Sequence, residues 1–157
     1  MPDIKVKHGI YVDKPPQDVF AFLADPDKIT QWQATSYKVA RKGQGAGAAA
    51  GAGGGKAKLQ RGERVHDQRN VLGKDVDGEW EVAEYDQDKR LVFRMVQGNI
   101  KWEMAFTLEA QNGGTLLTAE GGGDLGTTGL SAAAANRGGQ NLIENDLKTL
   151  ARILEKS

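Results

Sequence analysis

Two histidines and no cysteine set narrow limits on the chemistry this chain can perform. His8 sits in the alternating run Ile4, Val6, His8, Ile10, Val12, on the same face as Val6 and Ile10. That parity points it toward a core or cavity, where a neutral imidazole needs a hydrogen-bonding partner. His66 shares a strand face with Arg64, Gln68 and Asn70, and that face is either solvated or the polar end of a cavity. Turned inward, His66, Gln68, Asn70 and His8 would polarise a carbonyl or move a proton. No spacing rule brings them together. His8 and His66 are therefore the catalytic candidates, set against a satisfied interior histidine and a solvated strand face.

Other chemistry is mostly excluded. Without cysteine there are no disulfides, thiolate metal sites or cysteine nucleophiles. Gly45-Ala46-Gly47-Ala48-Ala49-Ala50 matches the spacing of a dinucleotide fingerprint, yet Gly51-Ala52-Gly53-Gly54-Gly55 follows it instead of a helix that would face a pyrophosphate. Gly55-Lys56 lacks both the upstream glycine, at Ala50, and the hydroxyl residue, at Ala57, of a phosphate loop. No metal site is expected: the histidines are far apart, and Asp77, Glu79 and Glu81 alternate like a solvated strand face. No Gly-x-Ser-x-Gly nucleophile motif is present. No cofactor is expected.

The elements that must position these residues are strands between helices. Ile4 to Val12 alternates at the strand period. Pro15 and Pro16 suit a first helical turn, Asp13 before them is a candidate cap, and Val19, Phe20 and Leu23 recur at helical spacing until Asp25-Pro26 stops the run. A second, shorter turn ends at Trp32. Strands follow at Tyr37 to Arg41, Glu63 to Leu72, Asp75 to Tyr85, Arg90 to Val96, Ile100 to Leu108 and Thr115 to Glu120. Short turns between them imply an antiparallel sheet. From Asn141 to Lys156, Leu142, Ile143, Asp146, Leu147, Leu150, Ile153 and Leu154 follow a helical period. A helix this amphipathic needs an apolar surface, and the concave face of the sheet is the large one on offer. The fold class is α+β, with a curved antiparallel sheet of about six to seven strands around a long C-terminal helix.

The run Ile10, Val12, Asp13, Pro15, Pro16, Val19, Phe20, Leu23, Asp25, Pro26 and Trp32 resembles the opening of the START-like, Bet v 1-like helix-grip superfamily (SRPBCC), which includes polyketide cyclase/dehydrase and lipid-transport proteins. The likeness resumes at Val71-Leu72-Gly73 and runs through Gly78-Glu79-Trp80-Glu81-Val82, Arg90-Leu91-Val92-Phe93-Arg94 and Gly114-Thr115-Leu116-Leu117-Thr118 to the terminal helix. The resemblance implies one helix-grip domain over 1–157, with two short helices after the first strand and a ligand cavity between sheet and terminal helix. It departs from the family pattern in two Gly/Ala-rich stretches, 43–58 and 121–139, read as flexible loops that are gates, slack surface or engineered simplifications.

Inward residues of the sheet are the candidates for ligand binding: Phe93, Met95, Trp102, Met104 and Phe106, with Trp32 and Tyr37 near the entrance and Gln68 and Asn70 as polar partners. Ordinary core packing is the competing reading of each. The function implied is binding of a hydrophobic or amphipathic small molecule, lipid-like or polyketide-like, by a carrier or sensor. A polyketide cyclase, aromatase or dehydratase using the same cavity is the alternative, and a protein-interaction module with a filled core is the second. Lys+Arg and Asp+Glu balance at 21 each, so nucleic acid is not an expected partner. Bases dominate from Lys38 to Lys74 and acids from Asp75 to Asp88, which reads as complementary strand faces or a basic rim. No run approaches the ~18 apolar residues of a membrane span, and no apolar leader opens the chain, so a cytoplasmic location is expected. Oligomeric state is left open.

Overall fold

The computed structural model describes residues 4–33, 36–41, 59–71, 74–98, 100–124 and 131–156, with backbone only for 36–41, 74 and 132. Strand β1 (Ile4–Val12) leads into helix α1 (Pro16–Leu23), a single 3₁₀ turn (Pro26–Lys28) and the short helix α2 (Ile29–Trp32). Strands β2 (Ser36–Arg41), β3 (Arg64–Val71), β4 (Lys74–Asp86), β5 (Arg90–Gly98), β6 (Lys101–Gln111) and β7 (Gly114–Asp124) follow, and helix α3 (Ala132–Glu155) ends the chain. All seven strands form one antiparallel sheet in the order β1-β7-β6-β5-β4-β3-β2, strongly curled around α3. The curved sheet gripping a terminal helix is the architecture that the alternating and helical periods predict.

Local chemistry accounts for the boundaries. Pro15 is the N-cap of α1 and Pro16 its first residue, positions where a missing N–H is harmless. Asp13 is not the cap: its backbone N–H instead donates to Glu155 Oε2 at 2.9 Å, tying the end of β1 to the end of α3. Asp25 Oδ1 accepts from the Asp27 backbone at 2.9 Å and so caps the 3₁₀ turn. Asn112 and Gly113 take positive φ values of 49° and 83° in the β6–β7 hairpin, the handedness that a tight two-residue turn requires.

The second Gly/Ala-rich stretch is largely ordered secondary structure, contrary to the loop expected over 121–139. Residues 121–124 extend β7, and 132–139 form the first two turns of α3. Alanines at the start of α3 favour helix without contributing any hydrophobic period, and Ser131 Oγ accepts from the Ala134 backbone at 3.1 Å as the cap. The glycines in β7 answer a steric demand. A Cβ on Gly122 would collide with the carbonyl oxygen of Ile4, and one on Gly123 with that of Lys101, so the strand curls tightly between its two neighbours only because both side chains are absent. The stretch 43–58 lies outside the described residues, as do 125–130.

Helix α3 also closes an edge of the sheet. β1 pairs with β7 on one side only, leaving its other edge with unpaired backbone groups. Asn136 Oδ1 accepts from the Lys5 N–H at 2.9 Å. Gln140 Oε1 accepts from the Lys7 N–H at 3.1 Å, while its Nε2 donates to the Lys7 carbonyl at 2.7 Å. Two side-chain amides thus stand where a neighbouring strand would. Gly139, between them, lets the helix approach: a Cβ there would sit 3.2 Å from Val6 Cγ1 and 3.3 Å from Ile4 Cγ2.

Candidate ligand cavity

Between α3 and the concave face of the sheet lies a cavity of about 110 Å³. Its floor follows strand parity. Trp102, Met104 and Phe106 alternate along β6, Phe93 and Met95 along β5, and Asp67, Arg69 and Val71 along β3, all turned inward. Trp80 of β4 and Ile4 and Val6 of β1 complete the sheet side, α2 contributes Trp32 with Gln33 just after it, and the roof is Gly139, Leu142, Ile143 and Asp146 of α3. The β5–β6 ladder runs from Arg90↔Thr107 to Arg94↔Glu103. Beyond that point Met95, Ile100 and Trp102 border the cavity, so the space opens where the hairpin splays.

The aromatic lining is a connected set of edge-to-face contacts. Trp32 meets Phe106 at 5.9 Å between ring centroids, Phe106 meets Phe93 at 6.1 Å, and Phe93 meets Trp80 at 4.5 Å. All three tryptophans of the chain border this one space. The indole N–H groups of Trp32 and Trp80 are buried and find no acceptor among the described residues.

The polar residues of the cavity are not those the sequence reading favours. Asp67 is wholly buried, and Arg69 Nε donates to its Oδ2 at 2.5 Å. Asp146, 7% exposed, faces in from α3, where the sequence shows it only as one member of the helical period. A usable signal is present: Val65 and Val71 share parity with Asp67 and Arg69, which makes the odd-numbered face of β3 the apolar, inward one.

His66, Gln68 and Asn70 occupy the opposite face, which corrects the assignment of Gln68 and Asn70 to the cavity and puts His66 on the outer one of the two faces left open for it. His66 Nε2 stands 2.6 Å from Asp77 Oδ1, Gln68 Nε2 donates to Asp77 Oδ2 at 2.9 Å, and Asn70 Nδ2 donates to Asp75 Oδ1 at 2.9 Å. These cross-strand pairs, with Arg64 3.7 Å from Glu81, are the complementary faces expected of the basic and acidic runs. Glu79 departs from the solvated alternation, being 7% exposed beside a register shift between Glu79 and Trp80. His8 is half-buried on β1, with four strands between it and β3, and does not border the cavity. The two histidines therefore do not converge with Gln68 and Asn70 into an acid–base set. Trp32, Phe93, Met95, Trp102, Met104 and Phe106 all border the cavity. The Tyr37 side chain lies outside what the structure describes. Among the described residues no group of three metal-ligating side chains occurs, and no helix is long and apolar enough to cross a membrane.

The sequence matches, over residues 3–155, the family model described as polyketide cyclase / dehydrase and lipid transport. The chain belongs to that family. Solved structures agree with the START-like, helix-grip fold of this polyketide cyclase/lipid transport family member. TTHA0849 from Thermus thermophilus superposes with a TM-score of 0.76 at 18% identity, covering 97% of both chains. A START superfamily protein from Mycobacterium smegmatis gives 0.73 at 14% identity, again over 97% of both. Ara h 8.0201 gives 0.67 at 11% identity over 99% of both. Identities this low speak for the fold alone. No curated protein matches this family member's sequence.

Proposed function

We propose that this protein binds a compact hydrophobic or amphipathic small molecule between the sheet and α3, as a carrier or sensor. The observation that supports this most directly is the cavity itself, a concave, mainly apolar space with few polar groups, the usual form of a small-molecule site. A filled core would have favoured the interaction-module reading. The separation of His8 from His66, with His66 beside Asp77 on the outer face, favours the carrier or sensor reading over the cyclase alternative. The family description, which includes lipid transport, is consistent with binding.

Size narrows the ligand. A cavity of about 110 Å³ is somewhat smaller than the ~150 Å³ that accommodates a benzene ring in an apolar core. One ring or a short branched chain fills it, and a longer chain would extend through its open side. Trp32, Phe93, Met95, Trp102, Met104 and Phe106 are the proposed contacts.

Native mass spectrometry of the purified protein tests the proposal by detecting a co-purified molecule. The Met104→Trp variant, which places a larger side chain in the space, is expected to lose that adduct while remaining folded. Retention of the adduct by a folded Met104→Trp protein would place the ligand elsewhere and overturn the reading.

A further inference from the structure

Accessibility along the cavity changes in one direction. On β6, Leu108 and Phe106 are buried while Met104 and Trp102 are partly open. On β5, Leu91 and Phe93 are buried while Met95 is partly open, and on β3 Asp67 is buried while Val71 is partly open. Helix α3 repeats the order, with Asp146 and Ile143 buried and Leu142 and Gly139 nearer the surface. The registers Leu91↔Phe106 and Phe93↔Met104 set these ends side by side, so the gradient belongs to the cavity and not to one strand. The space is closed at the Phe106 end and open toward Met95, Val71, Trp102 and Leu142.

The closed end is aromatic. Phe106 meets both Trp32 and Phe93, and Phe93 meets Trp80 in turn, at interplanar angles of 76°, 74° and 71°. Rings joined edge to face present alternating faces and edges, and a further flat ring can join such a set. A saturated ring is thicker and, like an acyl chain, carries no quadrupole with which to do so. Met104 and Met95, the next inward residues toward the opening on β6 and β5, add polarisable thioethers that favour contact with a ring edge. At the open side Val71, Met95, Trp102 and Leu142 line the path that a ligand's tail takes to solvent.

We propose that the cavity is specific for an aryl-headed ligand: one aromatic ring enters first and seats against Phe106, Phe93 and Trp32, and its substituent leaves through the open side past Met95 and Trp102. This rests on the small-molecule reading above and narrows it from hydrophobic molecules at large to those that end in a single ring. An acyl chain fills the same space without the edge-to-face contacts, so burial alone does not distinguish the two and the rings do.

A series of neutral terminal alcohols, titrated into the full chain, tests it. Tryptophan fluorescence is the readout, because every indole in the protein borders the cavity. Phenylbutanol, cyclohexylbutanol and decanol share a carbon number and a hydroxyl and differ in what reaches the closed end. Phenylbutanol is expected to bind tightest, although the two saturated alcohols are more hydrophobic and transfer from water alone would rank them first. Lengthening the tail from phenethyl alcohol to phenylbutanol should not weaken binding, since the added carbons lie in the open side. In Phe106→Leu the affinity ratio of phenylbutanol to cyclohexylbutanol should fall at least about threefold, a comparison in which the solvation of the two alcohols cancels. Phe93→Leu should act in the same direction. If either saturated alcohol binds more tightly than phenylbutanol, the aryl preference is wrong and the cavity reading stands. If the longer phenyl alcohol binds more weakly than the shorter, the ring-first orientation is wrong. If none of the alcohols alters the fluorescence, both readings fall. A ratio unchanged in the folded variants overturns the assignment to these rings. Should neither variant fold, the ranking on the unmodified chain still decides the preference.

Discussion

Replacing Gln140 with leucine tests the contribution of α3 to the exposed edge of β1. Gln140 makes two bonds to Lys7, accepting from its N–H at 3.1 Å and donating to its carbonyl at 2.7 Å, and a third within the helix, donating to Glu144 Oε2 at 2.9 Å, which contributes little as a side-chain pair one helical turn apart. A hydrogen bond contributes about 0.5–1.5 kcal/mol net, and water replaces part of that here because both bonds lie at the surface. The two together should therefore be worth about 1–2 kcal/mol. Leucine has nearly the volume of glutamine and is at least as good a helix former, so neither a void nor a propensity loss confounds the comparison. For a chain of this size the loss corresponds to a fall in melting temperature of about 2–8 °C.

The assay is urea and thermal unfolding followed by circular dichroism, with Lys148→Leu at an exposed position of the same helix as the control. A second variant, Gln140→Glu, keeps an acceptor for the Lys7 N–H but replaces the donor to the Lys7 carbonyl with a repelling oxygen and sets a second carboxylate beside Glu144. It should lose at least as much as the leucine variant at neutral pH. If Gln140→Leu costs no more than Lys148→Leu, the amide does not hold the helix to the strand, and the account of how this edge is closed is wrong.

Gly122→Ala should be strongly destabilising, by about 1–3 kcal/mol or more, because the added methyl meets the backbone of Ile4 and not a movable side chain; chemical denaturation measures it, and a neutral result would mean that β7 does not curl as described. Gly139→Ala gains about 1 kcal/mol of helix propensity but presses on Val6 and Ile4, so a net loss is expected in unfolding experiments, together with weaker binding of whatever ligand co-purifies. Burial beside Phe20 holds the Tyr85 phenol above its ordinary 10.0, with Asp88 adding to the shift and a hydrogen bond from Gln60 opposing it. The folded state thus keeps that proton longer than the unfolded chain, so its contribution is fully present below pH 10.0 and is lost as pH rises through the raised value. Tyr85→Phe should flatten the alkaline fall in stability, and an unchanged pH profile would contradict the shift.

Where hydrophobic side chains repeat at a clear period, sequence and structure coincide. The alternation Trp102, Met104, Phe106 places three residues on the cavity floor, and the period from Leu142 to Leu154 places the second half of α3. Where the period is written in alanine and glycine it vanishes, which is why 121–124 and 132–139 read as loop although one is strand and the other helix. Those residues are chosen for what they lack: the curl of β7 and the contact of α3 with β1 both need bare backbone. The polar residues of the cavity fail to register for a different reason. Hydrogen-bonding types on β3 draw notice to His66, Gln68 and Asn70, whereas burial follows parity, and parity puts Asp67 and Arg69 inside.

Helix α3 joins these observations because its sides have different work. Asn136 and Gln140, one helical repeat apart, bond the open edge of β1, while Gly139, Leu142, Ile143 and Asp146 roof the cavity. The height of that roof over the aromatic floor is consequently set by the register of the helix on an edge strand. Two amides on one side and the bare Gly139 surface against Val6 and Ile4 hold that register. Leu142, Ile143 and Asp146 on the roof then stand at a defined height over the floor, which is the geometric condition for the proposed site to discriminate ligands by shape. A roof held by nonspecific apolar contact alone would slide to accommodate ligands of different size. Polar edge closure and the shape of the proposed ligand site are in this sense one structural property, and the residues that secure the first determine how sharply the second is defined.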